Sequence, residues 1–158
     1  MRELILLRHA HAEPASSGQS DMDRPLSPEG LAEAEAAGRW LAEHKLIPDR
    51  VLCSPARRTR ETAESVLAAV GYVDQRLDEG IYEGTPGALA ELADNHRDAD
   101  RLLLVGHNPG LEHLAALMHS GQSGDYRGMP PGGIVVLALP AEAAIEPGIA
   151  TLSAFWFP

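Results

Sequence analysis

Two histidines and two arginines in this 158-residue chain stand where an oxyanion could be held and attacked. Arg8-His9 closes the apolar run Leu4–Leu7 with no turn residue between, and Gly106-His107 closes a second run, Leu102–Val105. Neutral imidazole carries a lone pair near neutral pH, because its ordinary pKa of about 6.5 leaves most of it unprotonated, so it can attack phosphorus without a separate base. Guanidinium forks match the oxygens of a phosphate. Arg57, Arg58 and Arg60 fall in the opening turns of a predicted helix, where positive charge opposes the helix dipole and needs a partner. Four residues on, Arg57 meets Glu61 and Arg60 meets Glu64, whereas Arg58 meets Thr62, with Glu61 at three residues as an alternative. Arg58 is therefore the arginine least explained by local pairing. Together these residues predict a phosphoryl-transfer pocket with Arg8-His9 as its floor, in which the surrounding cations keep the imidazole neutral and hold the phosphoryl oxygens.

For these residues to meet, two strands must end on one edge of one sheet. The chain alternates short apolar runs with helical periodicity: Leu4–Leu7, Gly30–Lys45, Val51–Cys53, Ala56–Val70, Pro86–His96, Leu102–Val105 and Leu111–His119. That order predicts an α/β fold, a three-layer α/β/α sandwich with a mainly parallel central sheet. Leu31, Ala34, Gly38 and Leu41 recur at helical spacing, as do Thr59, Ala63, Val66, Leu67 and Val70, and both faces are expected in the core. Ile134–Leu139 and Ala150–Phe157 read as two more strands of undetermined direction. Ser27-Pro28, Ser54-Pro55, Thr85-Pro86 and Asn108-Pro109 each read as an N-cap followed by proline in the first turn. Two of these follow buried strands, which would bring free N–H groups to the ligand-binding edge of the sheet beside His107 and Asn108.

Composition narrows the function. A formal net charge of −10 argues against a nucleic-acid or anionic-membrane partner. The length suits one domain spanning residues 1–158, and no run has the length of a signal peptide or a membrane span. The single cysteine, Cys53, agrees with a reducing compartment, so the expected location is cytoplasmic. Rival readings are a metal hydrolase using His9 and His11 with His107 or His113, a cysteine phosphatase using Cys53, and a phosphoprotein-binding module without turnover. Arg8 would set a cation beside any metal. For a thiolate loop the arginine comes too early after Cys53, since Thr59 stands where it is required. His11 is expected at most on the rim, His113 and His119 on a surface or partly buried helix face, Asp21, Asp23 and Arg24 in a loop shaping substrate entry, and Met118 and Met129 in packing alone.

These motifs resemble the histidine phosphatase (phosphoglycerate mutase-like) superfamily, and in particular its short bacterial SixA-type phosphohistidine phosphatases. The family's Arg-His-Gly/Ala after a buried strand matches Leu7-Arg8-His9-Ala10. Its Asp-x-x-Arg-Pro-Leu-Ser/Thr-x-x-Gly segment matches Asp21 to Gly30 and includes Arg24. Ser-Pro-x-x-Arg-x-x-x-Thr matches Ser54 to Thr62 and puts the family's pocket arginine on Arg58, and Gly-His-Asn-Pro matches Gly106 to Pro109. The likeness runs from Met1 to about Met129. It implies a phosphoglycerate mutase-like fold and a phosphatase without metal or other cofactor. His9 would be transiently phosphorylated, and Arg8, Arg58, His107, Asn108, Asp21 and Arg24 would bind substrate. The implied substrate is a phosphohistidine-bearing signalling or phosphotransfer protein, with inorganic phosphate as product. Relatives that cleave stable esters carry a glutamate proton donor after the second helix, which falls within Asp78–Glu83 here and leaves Glu79, Glu83 or another acid as candidates. Small phosphate monoesters are the alternative substrates.

Overall fold

The apolar runs Leu4–Leu7, Val51–Cys53 and Leu102–Val105 become strands buried on both faces, and their alternating side chains divide between two cores. The computed structural model describes residues 1–71, 73–122 and 128–158. In chain order the elements are β1 (Glu3–Arg8), α1 (Pro28–Glu43), β2 (Arg50–Cys53), α2 (Arg57–Val70), β3 (Asp74–Leu77), α3 (Pro86–Asp94), β4 (Arg101–Gly106), α4 (Gly110–Ser120), β5 (Ile134–Ala138) and β6 (Thr151–Trp156). One six-stranded sheet has the order β3-β2-β4-β1-β5-β6. β3, β2, β4 and β1 pair in parallel, β5 runs antiparallel to β1, and β6 antiparallel to β5. Only β5 therefore opposes the rest, which supplies the direction the sequence left open.

Leu4, Leu6, Leu102 and Leu104 face Leu89 and Ala93 of α3 and Leu111, Leu114 and Met118 of α4. Ile5, Leu7, Leu103 and Val105 face Ala37 and Leu41 of α1 and Ala63 and Val66 of α2. Each such leucine or isoleucine, fully buried, contributes on the order of 2 kcal/mol of transfer free energy. The result is the expected α/β/α sandwich, and its stiffness lies beneath the strand ends that carry Arg8 and His107.

Two helix starts follow the sequence reading and two depart from it. Ser27 Oγ accepts the Gly30 N–H at 3.0 Å and Thr85 Oγ1 accepts the Ala88 N–H at 3.2 Å, so α1 and α3 begin at their prolines. α2 begins at Arg57 after Ala56, and α4 at Gly110 after Pro109, with no side-chain cap on either. Ser54 and Asn108 have competing partners in the site. The first helix also presents a different face from the one expected: Gly30, Ala34, Ala37, Gly38 and Leu41 are buried, and Leu31 is exposed. Gly30 must lie inward because a Cβ there would collide with the His11 carbonyl. In α2, Leu67 and Val70 are half-buried, against the expectation of a core position. β3 has no counterpart in the sequence reading, because its four residues are exposed and its register comes from β2 alone. Among the described residues no helix is long and apolar enough to cross a membrane.

Candidate active site

Register sets the two histidines side by side. In the β1–β4 pairing Arg8 stands opposite Gly106, and the next residue, His9, donates its backbone N–H to the Gly106 carbonyl at 3.0 Å. The imidazole rings of His9 and His107 are consequently 5.2 Å apart between centroids. His9 Nδ1 lies 2.7 Å from the Ala10 carbonyl. A carbonyl only accepts, so Nδ1 carries the proton and the lone pair is on Nε2. Burial lowers the His9 pKa to about 4, and the charges of Arg58, Arg8 and Arg24 act in the same direction. The His107 pKa falls to about 3, again first by burial, then through His9 and Arg58. Its Nε2 lies 2.7 Å from Ser54 Oγ, the contact that occupies this serine.

Buried Thr62 joins the second motif to the first. Its hydroxyl donates to the Arg58 carbonyl at 2.7 Å and accepts the Ala10 N–H at 3.1 Å, so α2 is tied to the residue after His9. Arg58 is only 6% exposed. Its partner is neither of the local candidates: NH1 donates to the Asp21 carbonyl at 2.8 Å and NH2 to Asp21 Oδ2 at 3.0 Å. Glu61 instead pairs with Arg57 at 3.6 Å and accepts the Leu26 N–H at 2.9 Å, while Arg60 Nε donates to the Pro55 carbonyl at 2.9 Å instead of pairing with Glu64. The Asp21 carboxylate also accepts from the Tyr82 hydroxyl and, at 2.9 Å, from Arg24 NH1. Those bonds, Tyr82 first and then Arg24 and Arg58, hold its carboxyl well below the usual range. Asp21 is thus an ionised counter-charge to two arginines, a role the sequence reading did not assign to it.

On the opposite wall, Arg8 NH1 donates to the Met129 carbonyl at 2.7 Å, and Asn108 Nδ2 donates to the same carbonyl at 2.9 Å. Glu112 Oε2 accepts from Asn108 Nδ2 at 3.1 Å and from the Met129 N–H at 3.3 Å. Met129, expected only to pack, therefore contributes its backbone as well as a buried side chain. Burial lowers the Arg8 pKa, and the Glu112 charge opposes that shift.

These walls enclose a cavity of about 350 Å³ lined by all seven residues named as the candidate site: Arg8, His9, Asp21, Arg24, Arg58, His107 and Asn108. Tyr82 and Glu83 complete the lining, and Glu79 is not part of it. Arg8 Nε, Arg58 Nε and Asn108 Oδ1 are buried with no hydrogen-bond partner. Both arginines line the one cavity, and the positive charge they bring to it suits an oxyanion.

Other candidates fall away from this centre. His11 Nδ1 contacts Ser27 Oγ at 2.7 Å at the start of α1, and His119 is exposed at the far end of α4. Cys53 is buried, which pushes its thiol up to about 12 and leaves no thiolate. Among the described residues no group of three or more His, Cys, Asp or Glu is placed to hold a metal ion. Tyr82, Glu112 and the Met129 carbonyl were missed in the sequence. Only Glu112 left a signal, its spacing of four from Asn108 on one helix face.

Comparison with known proteins adds a family. The profile of the Histidine phosphatase superfamily (branch 1) matches residues 4–98. A Mycobacterium tuberculosis protein without assigned activity is 37% identical over 159 residues, covering 94% of this chain and 98% of its own. Among solved structures, a protein assigned as phosphohistidine phosphatase SixA from Agrobacterium tumefaciens superposes with a TM-score of 0.86 at 29% identity, covering 99% of this chain and 98% of that one. Another with the same assignment, from Nakamurella multipartitia, gives 0.85 at 30% identity, covering 99% and 96%.

Proposed function

Because this chain belongs to the histidine phosphatase superfamily and is a phosphoric-group hydrolase, we propose that it removes phosphate from phosphohistidine on a signalling or phosphotransfer protein in the cytoplasm. The observation that carries the reading is a neutral His9 with a free Nε2 lone pair in a cavity shared with Arg8, Arg58 and His107. Nε2 attacks phosphorus, and the bond from phosphorus to the leaving nitrogen breaks with its electron pair staying on that nitrogen. Arg8 and Arg58 hold the equatorial oxygens, whose charge shifts in the transition state, and supply positive charge without a metal. Water then attacks the phosphorus of phospho-His9, the P–Nε2 bond breaks, and inorganic phosphate leaves while the proton from water passes to solvent.

The protonation demand supports a phosphoramidate. Asp21, the carboxylate among the cavity arginines, is held ionised and offers no proton to a departing alkoxide. An imidazole leaving from a P–N bond needs less assistance than an alkoxide. The SixA assignments of the two solved structures point the same way. One observation favours small monoesters as a second reading: Glu83 lines the cavity and could serve as the acid.

Rapid-quench labelling with a phosphohistidine-bearing protein tests the proposal. Wild type should carry acid-labile, base-stable label and release phosphate, and His9→Ala should do neither while remaining folded, because His9 lies beyond the strand core. Label persisting in His9→Ala overturns the nucleophile. Turnover of esters with none of phosphohistidine moves the substrate to the second reading.

A further inference from the structure

A second cleft, of about 390 Å³, opens directly off the oxyanion cavity. The two share Tyr82, Glu83, His107 and Asn108, but the second cleft touches neither His9 nor Arg8 nor Arg58. Displacement at phosphorus puts the attacking and leaving atoms roughly in line. With His9 on one side of the phosphoryl group, the departing group belongs on the side away from it, and this cleft is bounded by His107 and Asn108 and not by His9.

The walls of the cleft define what it will accept. Ile81, Gly84, Pro86, Pro109 and Gly110 give it an apolar surface, and the Tyr82 ring stands edge-on to His107 at 5.3 Å where the two spaces meet. No arginine or lysine lines it among the described residues. Its titratable side chains besides those at the shared boundary amount to His113, and the boundary itself contributes the carboxylate of Glu83. Asn108 Nδ2 is committed to Met129 and Glu112, and Thr85 Oγ1 to the cap of α3. In the oxyanion cavity the one further cation, Arg24, is spent on Asp21 and on the Glu13 carbonyl at 2.8 Å.

We propose that this cleft is the leaving-group site and that it selects a planar ring without negative charge, imidazole or aryl, while rejecting substrates that carry a second anion beside the phosphoryl group. The inference rests on the phosphatase reading of the adjoining cavity. A second carboxylate or phosphate would lose its hydration against apolar walls and face Glu83 with no compensating cation. A flat ring buries its faces against the prolines and Ile81 instead.

Calorimetric titration at pH 8, where an ordinary imidazole is uncharged, tests this without turnover. Three phosphonates serve as probes: methylphosphonate, phenylphosphonate and 4-carboxyphenylphosphonate. Phenylphosphonate should bind at least about tenfold tighter than methylphosphonate by burying its ring, and at least about tenfold tighter than the carboxylated probe. Glu83→Lys, at an exposed position that both spaces share, adds a cation to each, so it should tighten methylphosphonate as well and reverse the order of phenylphosphonate and 4-carboxyphenylphosphonate. Equal affinity for all three probes, or an unchanged preference in Glu83→Lys, overturns the leaving-group site while the phosphate cavity stands. Failure of methylphosphonate itself to bind overturns the cavity reading and the inference with it. If the ring preference holds but phosphohistidine is not hydrolysed, the leaving-group site survives and the substrate assignment alone falls.

Discussion

Arginines crowd both ends of the sheet, and the two ends use them differently. At the end where β1 and β4 begin, Arg2 donates to both oxygens of Asp100, the shortest contact being 2.6 Å, and Arg101 NH2 meets Glu3 at 2.6 Å. Arg50 makes a fork to Asp98 at 2.8 and 2.9 Å, and its Nε faces Asp74 at 3.6 Å. Arg50 holds the Asp98 carboxyl down at about 2, and Arg2 lowers that of Asp100. At the opposite end Arg8 and Arg58 lean on backbone carbonyls and one carboxylate, and each keeps a buried Nε without a partner. A satisfied fork at the surface adds little and binds nothing further. Arg8 and Arg58, lining one cavity with a single carboxylate partner between them, bring it a positive charge that favours an oxyanion. The buried Arg50 Nε also lacks a hydrogen-bond partner, so what separates the two ends is whether the guanidinium closes on surface carboxylates or lines a cavity.

The contrast makes graded predictions. Arg58→Ala should lose on the order of 3 kcal/mol of transition-state stabilisation, about a hundredfold in kcat/KM, as for a fixed charge donor in a closed site; kinetics unchanged from wild type would erase the distinction between the ends. Glu112→Ala should cost about tenfold in kcat/KM, since Glu112 holds Asn108 and the Met129 backbone, whose carbonyl binds Arg8, and its charge favours the Arg8 cation. Glu112→Gln should recover much of that loss, and a purely structural defect would show as a lowered Tm with KM unaltered.

Acid should separate the ends further. His9 and His107 titrate near 4 and 3 when folded but near 6.5 when unfolded, so the unfolded chain binds more protons in between. Stability should therefore fall as pH drops from about 6.5 through 4, and His9→Gln should flatten that slope in denaturant titrations. A slope identical to wild type would place the acid sensitivity elsewhere. The smallest effect belongs to the surface end: Arg2→Ala should leave Tm and turnover within experimental error, because the pair it forms with Asp100 is exposed on both sides.

What was legible in the sequence is what local chemistry dictates. Leu4–Leu7 and Leu102–Val105 are too apolar to lie anywhere but the centre of a parallel sheet, and two such strands deliver Arg8-His9 and His107-Asn108 to one edge. Arg58 stood out because it was the arginine least explained by its helical neighbours. β3 was illegible, since an exposed edge strand of Asp74, Gln75, Arg76 and Leu77 carries no alternation and is ordered by β2. Leu31 misled because a hydrophobic residue at helical spacing looks buried, whereas the close approach of the His11 carbonyl turns Gly30 inward.

The pairing of Arg58 with Asp21 spans 37 residues, and the link from Arg8 to Met129 spans 121. No periodicity or motif encodes such distances. By itself the sequence determined the strands, the histidine at each strand end and the arginine without a local partner, because those follow from hydrophobic patterning and short-range charge. Only the tertiary structure decided which carboxylate balances that arginine, which carbonyl orients Arg8, and that a cleft without cations opens beside the phosphate cavity, because those depend on chain segments that meet only when the sheet closes its register.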